Sequence, residues 1–177
     1  MVAVRLRSMG LGAWLLGVLA VIAVWSGLNV DLMEVDAAQY ASMGQEMNHG
    51  SSWFALQEHG ALYQSRGYPD KPPLVFWCAA WGTRLLGSTS LGAKLFSVLA
   101  GLLGCWAIGR WAAALMGAQA LWPARFFYSA NLGMGLMLQD VRTDTLLVAM
   151  VTLAGWQAQE WKNHQRPMNA WFAFGLT

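Results

Sequence analysis

Hydrophobic residues are grouped in long runs rather than alternating with polar ones at short intervals. The first run extends from Met9 to about Val30, near the roughly 20 residues needed to span hydrocarbon. A polar segment from Asp31 to Pro73 follows it. Apolar stretches then return near 73–87, 91–109, 117–139, 145–159 and from Asn169 to the end. The pattern predicts membrane-spanning helices with one long polar loop after the first.

The first run predicts a retained span that starts in the cytoplasm. Basic residues precede it, and it has no clear site at which a signal peptide would be cut. We divide the chain into a first transmembrane span at 1–30, an external loop with interfacial helices at 31–90, and spans two to four with the start of a fifth at 91–177. The expected fold is an all-α integral membrane protein, a multi-span helical bundle whose long first external loop bears surface helices.

The predicted fifth span is short in this sequence. It begins at Asn169 and runs for nine residues, a rise of about 14 Å against a hydrocarbon core of roughly 30 Å. The sequence is therefore expected to be the N-terminal part of something longer.

Composition agrees with a membrane location. Apolar residues make up 56% of the chain and charged residues 11%, against roughly 45–50% and about 25% in soluble domains. The net charge is +2 and the basic residues are scattered, which argues against a nucleic-acid partner. Cys78 and Cys105 both lie in apolar runs, so we expect neither a disulfide nor a redox role.

The stretch 73–87 is short and carries Arg84, so its pattern leaves open whether it crosses the membrane. Short cytoplasmic loops collect Lys and Arg. If it does not cross, six basic residues and one acid lie inside, against five basic residues and eight acids outside. If it crosses, five basic residues lie inside and six outside, without bias. We therefore favour the non-crossing arrangement, which places Asp36, Lys71 and Asp144 on the same external side.

The external loop opens with the segment 35–47. Its apolar positions recur at helical spacing: Ala37, Tyr40, Ala41 and Met47. A short amphipathic helix on the membrane surface is predicted. Asp36 either caps this helix, with Gln39 completing a capping box, or presents a carboxylate to a polar group of a substrate.

A second polar motif, Tyr-Pro-Asp-Lys-Pro-Pro, occupies 68–73. Proline restrains its own backbone and that of the preceding residue, so Lys71 is presented from a stiff segment. Lys71 either pairs with Asp70 or lipid phosphate at the interface, or offers a fixed ammonium to a phosphate in a ligand.

A third polar site, the turn 139–144, contains Asp140, Arg142 and Asp144 between two predicted spans. Acids at a membrane boundary cost little, so an ordinary solvated turn is one interpretation. Thr143 or Asp144 can also cap the next helix. The alternative is that these charges face a substrate. Elsewhere the three histidines are too far apart in sequence to form a metal-ligand set.

These features, in this order, resemble the glycosyltransferase C superfamily, and most of all the branch with the protein O-mannosyltransferases and the aminoarabinose transferase of lipid A. That branch typically shows Asp-Glu-x-x-Tyr-Ala, and 36–41 reads Asp-Ala-Ala-Gln-Tyr-Ala, with Ala37 for glutamate. Its Tyr-x-Glu-Lys-Pro is similar to 68–72, and its Pro-Leu-x-x-Trp to 73–77. A later Asp that opens a span resembles Asp144. The likeness runs from about residue 8 to the end.

The resemblance implies an inverting transferase in a bacterial inner membrane. It would move a sugar from a polyprenyl-phosphate donor to a lipid, glycan or protein acceptor on the periplasmic, external face. Asp36 would be general base or orienting carboxylate at the acceptor, Lys71 would offset charge on the leaving phosphate, and Asp144 would be the second acid. The candidate supporting residues are Tyr40, Tyr68 and Arg142.

The same resemblance bears on cofactors and on process. In some superfamily members the second acid positions a metal ion, but Ala37 replaces the neighbouring glutamate here. No cofactor is assigned as certain, and a divalent metal ion stays open. Protein glycosylation and lipid A modification are the processes implied.

The competing hypothesis is a non-catalytic or degenerate membrane fragment or scaffold that keeps the fold. A transporter is a third class, but the sequence shows no charged residue deep in a predicted span and no inverted repeat. An enzyme needs Asp36, Lys71 and Asp144 in one pocket, whereas a scaffold does not. The location of these three residues therefore discriminates between the hypotheses.

Overall fold

A computed structural model describes residues 22, 28, 30–50, 52–54, 57–59, 65–67 and 71–175. The described chain is mostly helical, and its elements are α1 Val35–Asn48, β1 Gln57–His59, β2 Ser65–Gly67, α2 Leu74–Leu86, α3 Ser90–Met116, a 3₁₀ turn Ala118–Ala120, α4 Leu121–Ser129, α5 Leu132–Leu138, α6 Thr143–His164 and α7 Pro167–Gly175. Apart from residues 22, 28 and 30, the predicted first span at 1–30 lies outside the described residues.

The chain forms two compact units. The first unit comprises Gly27–Ala100 and Leu136–Leu146, and the second includes Gly101–Gly135 and Leu147–Thr177. The first unit therefore carries Asp36, Lys71 and Asp144.

The core of the first unit is the contact between α1 and α2. Small and apolar residues of α1 recur on one face and are buried: Ala37, Tyr40, Ala41, Met43, Gly44 and Met47. They meet a buried face of α2 made by Val75, Phe76, Ala79, Ala80, Gly82 and Thr83. Gly44 allows the close approach, because a Cβ there would stand 2.8 Å from the Cβ of Ala79 and from the backbone nitrogen of Ala80. The helix predicted at 35–47 is confirmed, but the apolar face that was expected to lie on the membrane surface packs against α2.

The connection from α2 to α3 is a tight turn built on glycine. Gly87 follows α2 with φ of +81°, a conformation that side chains rarely adopt. The helices then cross closely, since a Cβ on Gly82 would collide with the carbonyl oxygen of Gly92. The turn and the crossing together bring the start of α3 back onto α2.

Among the described residues, α3 is the helix that is long and apolar enough to cross a membrane. Its 27 residues rise about 40 Å, more than the roughly 30 Å of hydrocarbon. It exposes large apolar side chains at Leu91, Leu99, Leu102, Leu103, Trp106, Leu115 and Met116. A bilayer would cover such a surface, but one helix of this kind leaves the multi-span bundle a prediction.

The apolar stretch 117–139, predicted as a single span, is divided. A 3₁₀ turn, the nine residues of α4 and the seven of α5 occupy it. The break follows from Asn131, whose side-chain oxygen accepts a hydrogen bond from the Met134 backbone N–H at 3.2 Å and so starts a new helix, as an N-cap does.

A short antiparallel hairpin departs from the predicted all-α fold. The strands β1 and β2 pair Gln57 with Gly67, Glu58 with Arg66 and His59 with Ser65. Three-residue strands are too short to show an alternating pattern in the sequence, so the pattern gave no signal for them. Outside these two strands, the regular elements of the described chain are all helices, in agreement with the predicted helical fold.

Candidate active site

The first candidate group lies at the start of α1. Asp36 is exposed and stands in the first turn, where a carboxylate interacts favourably with the helix dipole. The helix is capped at Glu34, whose side chain makes no capping hydrogen bond. The N-cap interpretation of Asp36 is therefore wrong, because this residue is inside the helix rather than at its boundary.

The second candidate group lies at the start of α2, which runs parallel to α1. The Tyr40 and Phe76 rings meet edge to face at 5.2 Å, and Gly44 meets Ala80 one turn further on. Asp36 lies in the first turn of α1 and Lys71 lies three residues before the start of α2, so both are at the same end of this parallel helix pair. Lys71 is exposed like Asp36, so both side chains are accessible at the same end of the helix pair.

The third candidate group lies at the start of α6 and is tied to the start of α1. Arg142 and Glu34 form an ion pair at 2.6 Å, and the Glu34 backbone N–H donates to Oδ2 of Asp140 at 3.1 Å. Asp144 is exposed in the first turn of α6, two residues beyond Arg142. Asp36 and Asp144 thus each lie two residues from one side of the same ion pair.

Three helix starts therefore meet at one end of the first unit. Each helix N-terminus carries partial positive charge and unpaired backbone N–H groups, which favour an anion. Lys71 adds a full positive charge there, and the two exposed carboxylates can accept a proton or hydrogen bonds from a hydroxyl. The arrangement can bind a phosphate and orient a hydroxyl.

The three candidate supporting residues lie in different environments or outside the described residues. Tyr40 is 4% exposed and packs in the α1 and α2 core, so it supports the site by fixing the helix pair. Arg142 is bound to Glu34, so it holds α1 and α6 together. Tyr68 lies outside the described residues.

Sequence reasoning missed a buried polar group beneath these helix starts. Lys94 is fully buried, and its Nζ donates to the carbonyl oxygen of Val30 at 2.5 Å. Asp140 is 5% exposed. The available signal was Lys94 as the single charged residue of the apolar stretch 91–109, because a buried charge is costly unless it is compensated.

A metal ion finds little support in these residues. Within the described part of the chain, no group of three or more His, Cys, Asp or Glu side chains is placed to hold one. Asp36 has Ala37 beside it where a second carboxylate would help.

Comparison with known structures supports the fold. The chain is similar to ArnT from Cupriavidus metallidurans, whose crystal structure is in the apo state, with a TM-score of 0.71 and 21% identity. The similarity covers 84% of this chain and 27% of that chain, so this chain spans about a quarter of the length of the structure it matches. Curated proteins give no significant match.

A family model supplies the remaining comparison. The model for dolichyl-phosphate-mannose-protein mannosyltransferase matches residues 70–177, more than half of the 177 residues. The match includes Lys71 and Asp144 and begins after Asp36. It confirms the resemblance that the sequence motifs indicated. The chain belongs to the dolichyl-phosphate-mannose-protein mannosyltransferase family.

Proposed function

We propose that this protein is a membrane glycosyltransferase that moves a sugar from a polyprenyl-phosphate donor to a lipid, glycan or protein acceptor on the external face of the inner membrane. The observation that carries the proposal is the meeting of the α1, α2 and α6 starts, with Asp36, Lys71 and Asp144 on them, in a chain of this family.

Lys71 binds the donor phosphate in this proposal. When the bond between the sugar C1 and the phosphate oxygen breaks, that oxygen gains negative charge and polyprenyl phosphate departs. A fixed ammonium aimed at this oxygen is most valuable in the transition state. The helix starts nearby contribute in the same direction, because their partial charges are also positive.

Asp36 and Asp144 act on the acceptor. The acceptor hydroxyl oxygen forms the new bond to C1 from the face opposite the phosphate, which inverts the sugar carbon. Asp36 takes the hydroxyl proton as it becomes acidic in the transition state, because a carboxylate is too weak a base to remove it earlier. Asp144 orients the acceptor from the other side of the Glu34–Arg142 ion pair.

The test is a transfer assay in membranes that contain the product of the full reading frame, supplied with labelled polyprenyl-phosphate sugars. We expect Asp36→Asn to lower transfer by at least about 100-fold, the usual scale for loss of a general base. Lys71→Ala should lower it by about 100-fold or more, as for loss of one electrostatic contact to the developing charge. Lys162→Ala removes an exposed lysine of the second unit and serves as the matched control.

The outcomes separate the competing hypotheses. Collapse of transfer in both variants but not in the control supports the enzyme. If the wild-type protein consumes no donor, or if both variants transfer as well as wild type, the non-catalytic scaffold is the better description.

A further inference from the structure

Lys94 holds the chain segment that leads into α1. Its Nζ bonds to the carbonyl oxygen of Val30 at 2.5 Å, while Ser90, one turn earlier on α3, donates from Oγ to Oδ1 of Asp31 at 2.7 Å. Side chains at the start of α3 therefore hydrogen-bond to two successive residues of the segment. This segment ends where α1 begins, one residue before Asp36.

Asp140 holds the same segment from the other side. Its Oδ2 accepts the Glu34 backbone N–H at 3.1 Å, and Arg142 binds the Glu34 carboxylate at 2.6 Å. Residues 30–34 are thus held by side chains of α3 and of the turn before α6.

Lys94 and Asp140 are also linked electrostatically. The negative charges of Asp140 and Asp31 stabilise the positive charge of Lys94. Both Lys94 and Asp140 are buried, at 0% and 5% exposed, and the buried Oδ1 of Asp140 has no hydrogen-bond partner among the residues that the structure describes. A buried cation without a nearby anion would be strongly unfavourable, so each residue makes the burial of the other tolerable.

We propose that Lys94 and Asp140 are positioning residues, which act together through residues 30–34 to set where Asp36 and Asp144 stand relative to each other. The inference rests on the proposed function. Both residues are buried, so the role assigned to them is indirect. Buried charge pairs often add little net stability compared with apolar residues of similar volume, so the structural benefit of this pair is a fixed path for the backbone.

The test replaces both charges together. In the double variant Lys94→Met/Asp140→Leu, no unpaired charge is left in the core, so the melting temperature in detergent should stay near that of wild type. We expect kcat for sugar transfer to fall at least about tenfold, since small misplacements of reacting groups are costly. KM for the donor should change little, because Lys71 is untouched. Lys162→Met is the matched control.

A second measurement reports position without activity. Spin labels on Met33→Cys and Thr143→Cys flank the Glu34–Arg142 pair, and their dipolar coupling reports the separation of the α1 and α6 starts. We expect a narrow distribution in the otherwise wild-type protein and a broader one in Lys94→Met/Asp140→Leu. The Lys162→Met control should keep the narrow distribution.

The outcomes are distinguishable. A lower kcat with a broadened label distribution at unchanged melting temperature supports the positioning role. Wild-type kcat in the double variant, or an unchanged label distribution, overturns it. If the wild-type protein transfers no sugar, the proposed function fails, and the label distribution alone then decides whether Lys94 and Asp140 set the geometry.

Discussion

The two compact units differ in how deeply their charged side chains are buried. In the first unit, Lys94 and Asp140 are buried and bind backbone groups. In the second unit, Arg110 is exposed and lies over the Trp156 ring, with its Cζ 5.5 Å from the ring centroid. The first unit therefore buries two charged side chains against backbone groups, although its exposed Arg84 also lies over the Trp81 ring at 5.8 Å. In the second unit, the basic residues that lie over rings are exposed or half-buried.

Other charged residues of the second unit also contact aromatic side chains. Arg125 lies over Trp122 at 5.2 Å. The Trp156 indole N–H donates to Glu160 at 3.1 Å, and His164 lies 3.4 Å from the same carboxylate. Tryptophans and basic side chains together are typical of the boundary between hydrocarbon and water.

The difference teaches where sequence changes should matter. A buried charge has few acceptable partners, and its loss leaves another group without compensation. A cation over an exposed ring contributes about 0.5–1 kcal/mol and tolerates small movements. We therefore expect substitutions of charged residues to lower activity more in the first unit than in the second.

The largest expected effect concerns membrane topology, because an introduced cysteine either is or is not accessible to a reagent outside the membrane. Thr143 and Asn163 stand near opposite ends of α6, about 30 Å apart at 1.5 Å per residue, which matches the hydrocarbon thickness. An impermeant thiol reagent outside should label Thr143→Cys, and Ser65→Cys in the hairpin, but not Asn163→Cys.

The labelling background follows from the native thiols. Burial raises the pKa of the Cys78 thiol to about 11, so this group stays protonated and slow to react at neutral pH. Cys105→Ala removes the other thiol. Labelling of Asn163→Cys together with failure at Thr143→Cys would invert the predicted topology.

A smaller effect is expected on stability when one glycine in each unit is replaced by alanine. Gly44→Ala places a Cβ 2.8 Å from Ala79 and from the Ala80 backbone, so overpacking should cost about 1–3 kcal/mol. Gly135→Ala, on α5 of the second unit, meets no described atom within 4 Å and should gain about 0.5–1 kcal/mol from helix propensity. Melting temperatures in detergent should therefore move in opposite directions. Equal shifts would mean that α1 and α2 are not closely packed.

Much of the helical architecture was readable from the sequence, because it follows from periodicity. The face of α1 was predicted from the spacing of Ala37, Tyr40, Ala41 and Met47, and these residues are buried. The start of α6 at Thr143 agrees with a turn at 139–144. The family was also predicted, because its motifs are carried by a few residues in a fixed order.

The connections between segments were not readable. The Glu34–Arg142 ion pair joins residues far apart in sequence, and no local pattern indicates which charged residues meet. Lys94 is one of the five basic residues that the charge count placed outside, yet it is buried. Burial of a lysine in a packed unit cannot be read from hydropathy alone. The break at Asn131 lies inside an apolar run and depends on one side-chain hydrogen bond.

The smallest expected effect tests whether the Glu34–Arg142 ion pair acts mainly through position. Its side chains are 40% and 33% exposed, so solvent screens the pair and its coupling free energy should be about 0.2–1 kcal/mol. A double-mutant cycle with Glu34→Gln and Arg142→Gln, followed by thermal melting, measures this coupling, which should shrink as salt is raised. The corresponding cycle with Arg110→Gln and Trp156→Leu gives the reference value for the second unit. A coupling well above that range, or one insensitive to salt, would mean that the pair is effectively buried and that the first unit depends on it for stability as well as for geometry.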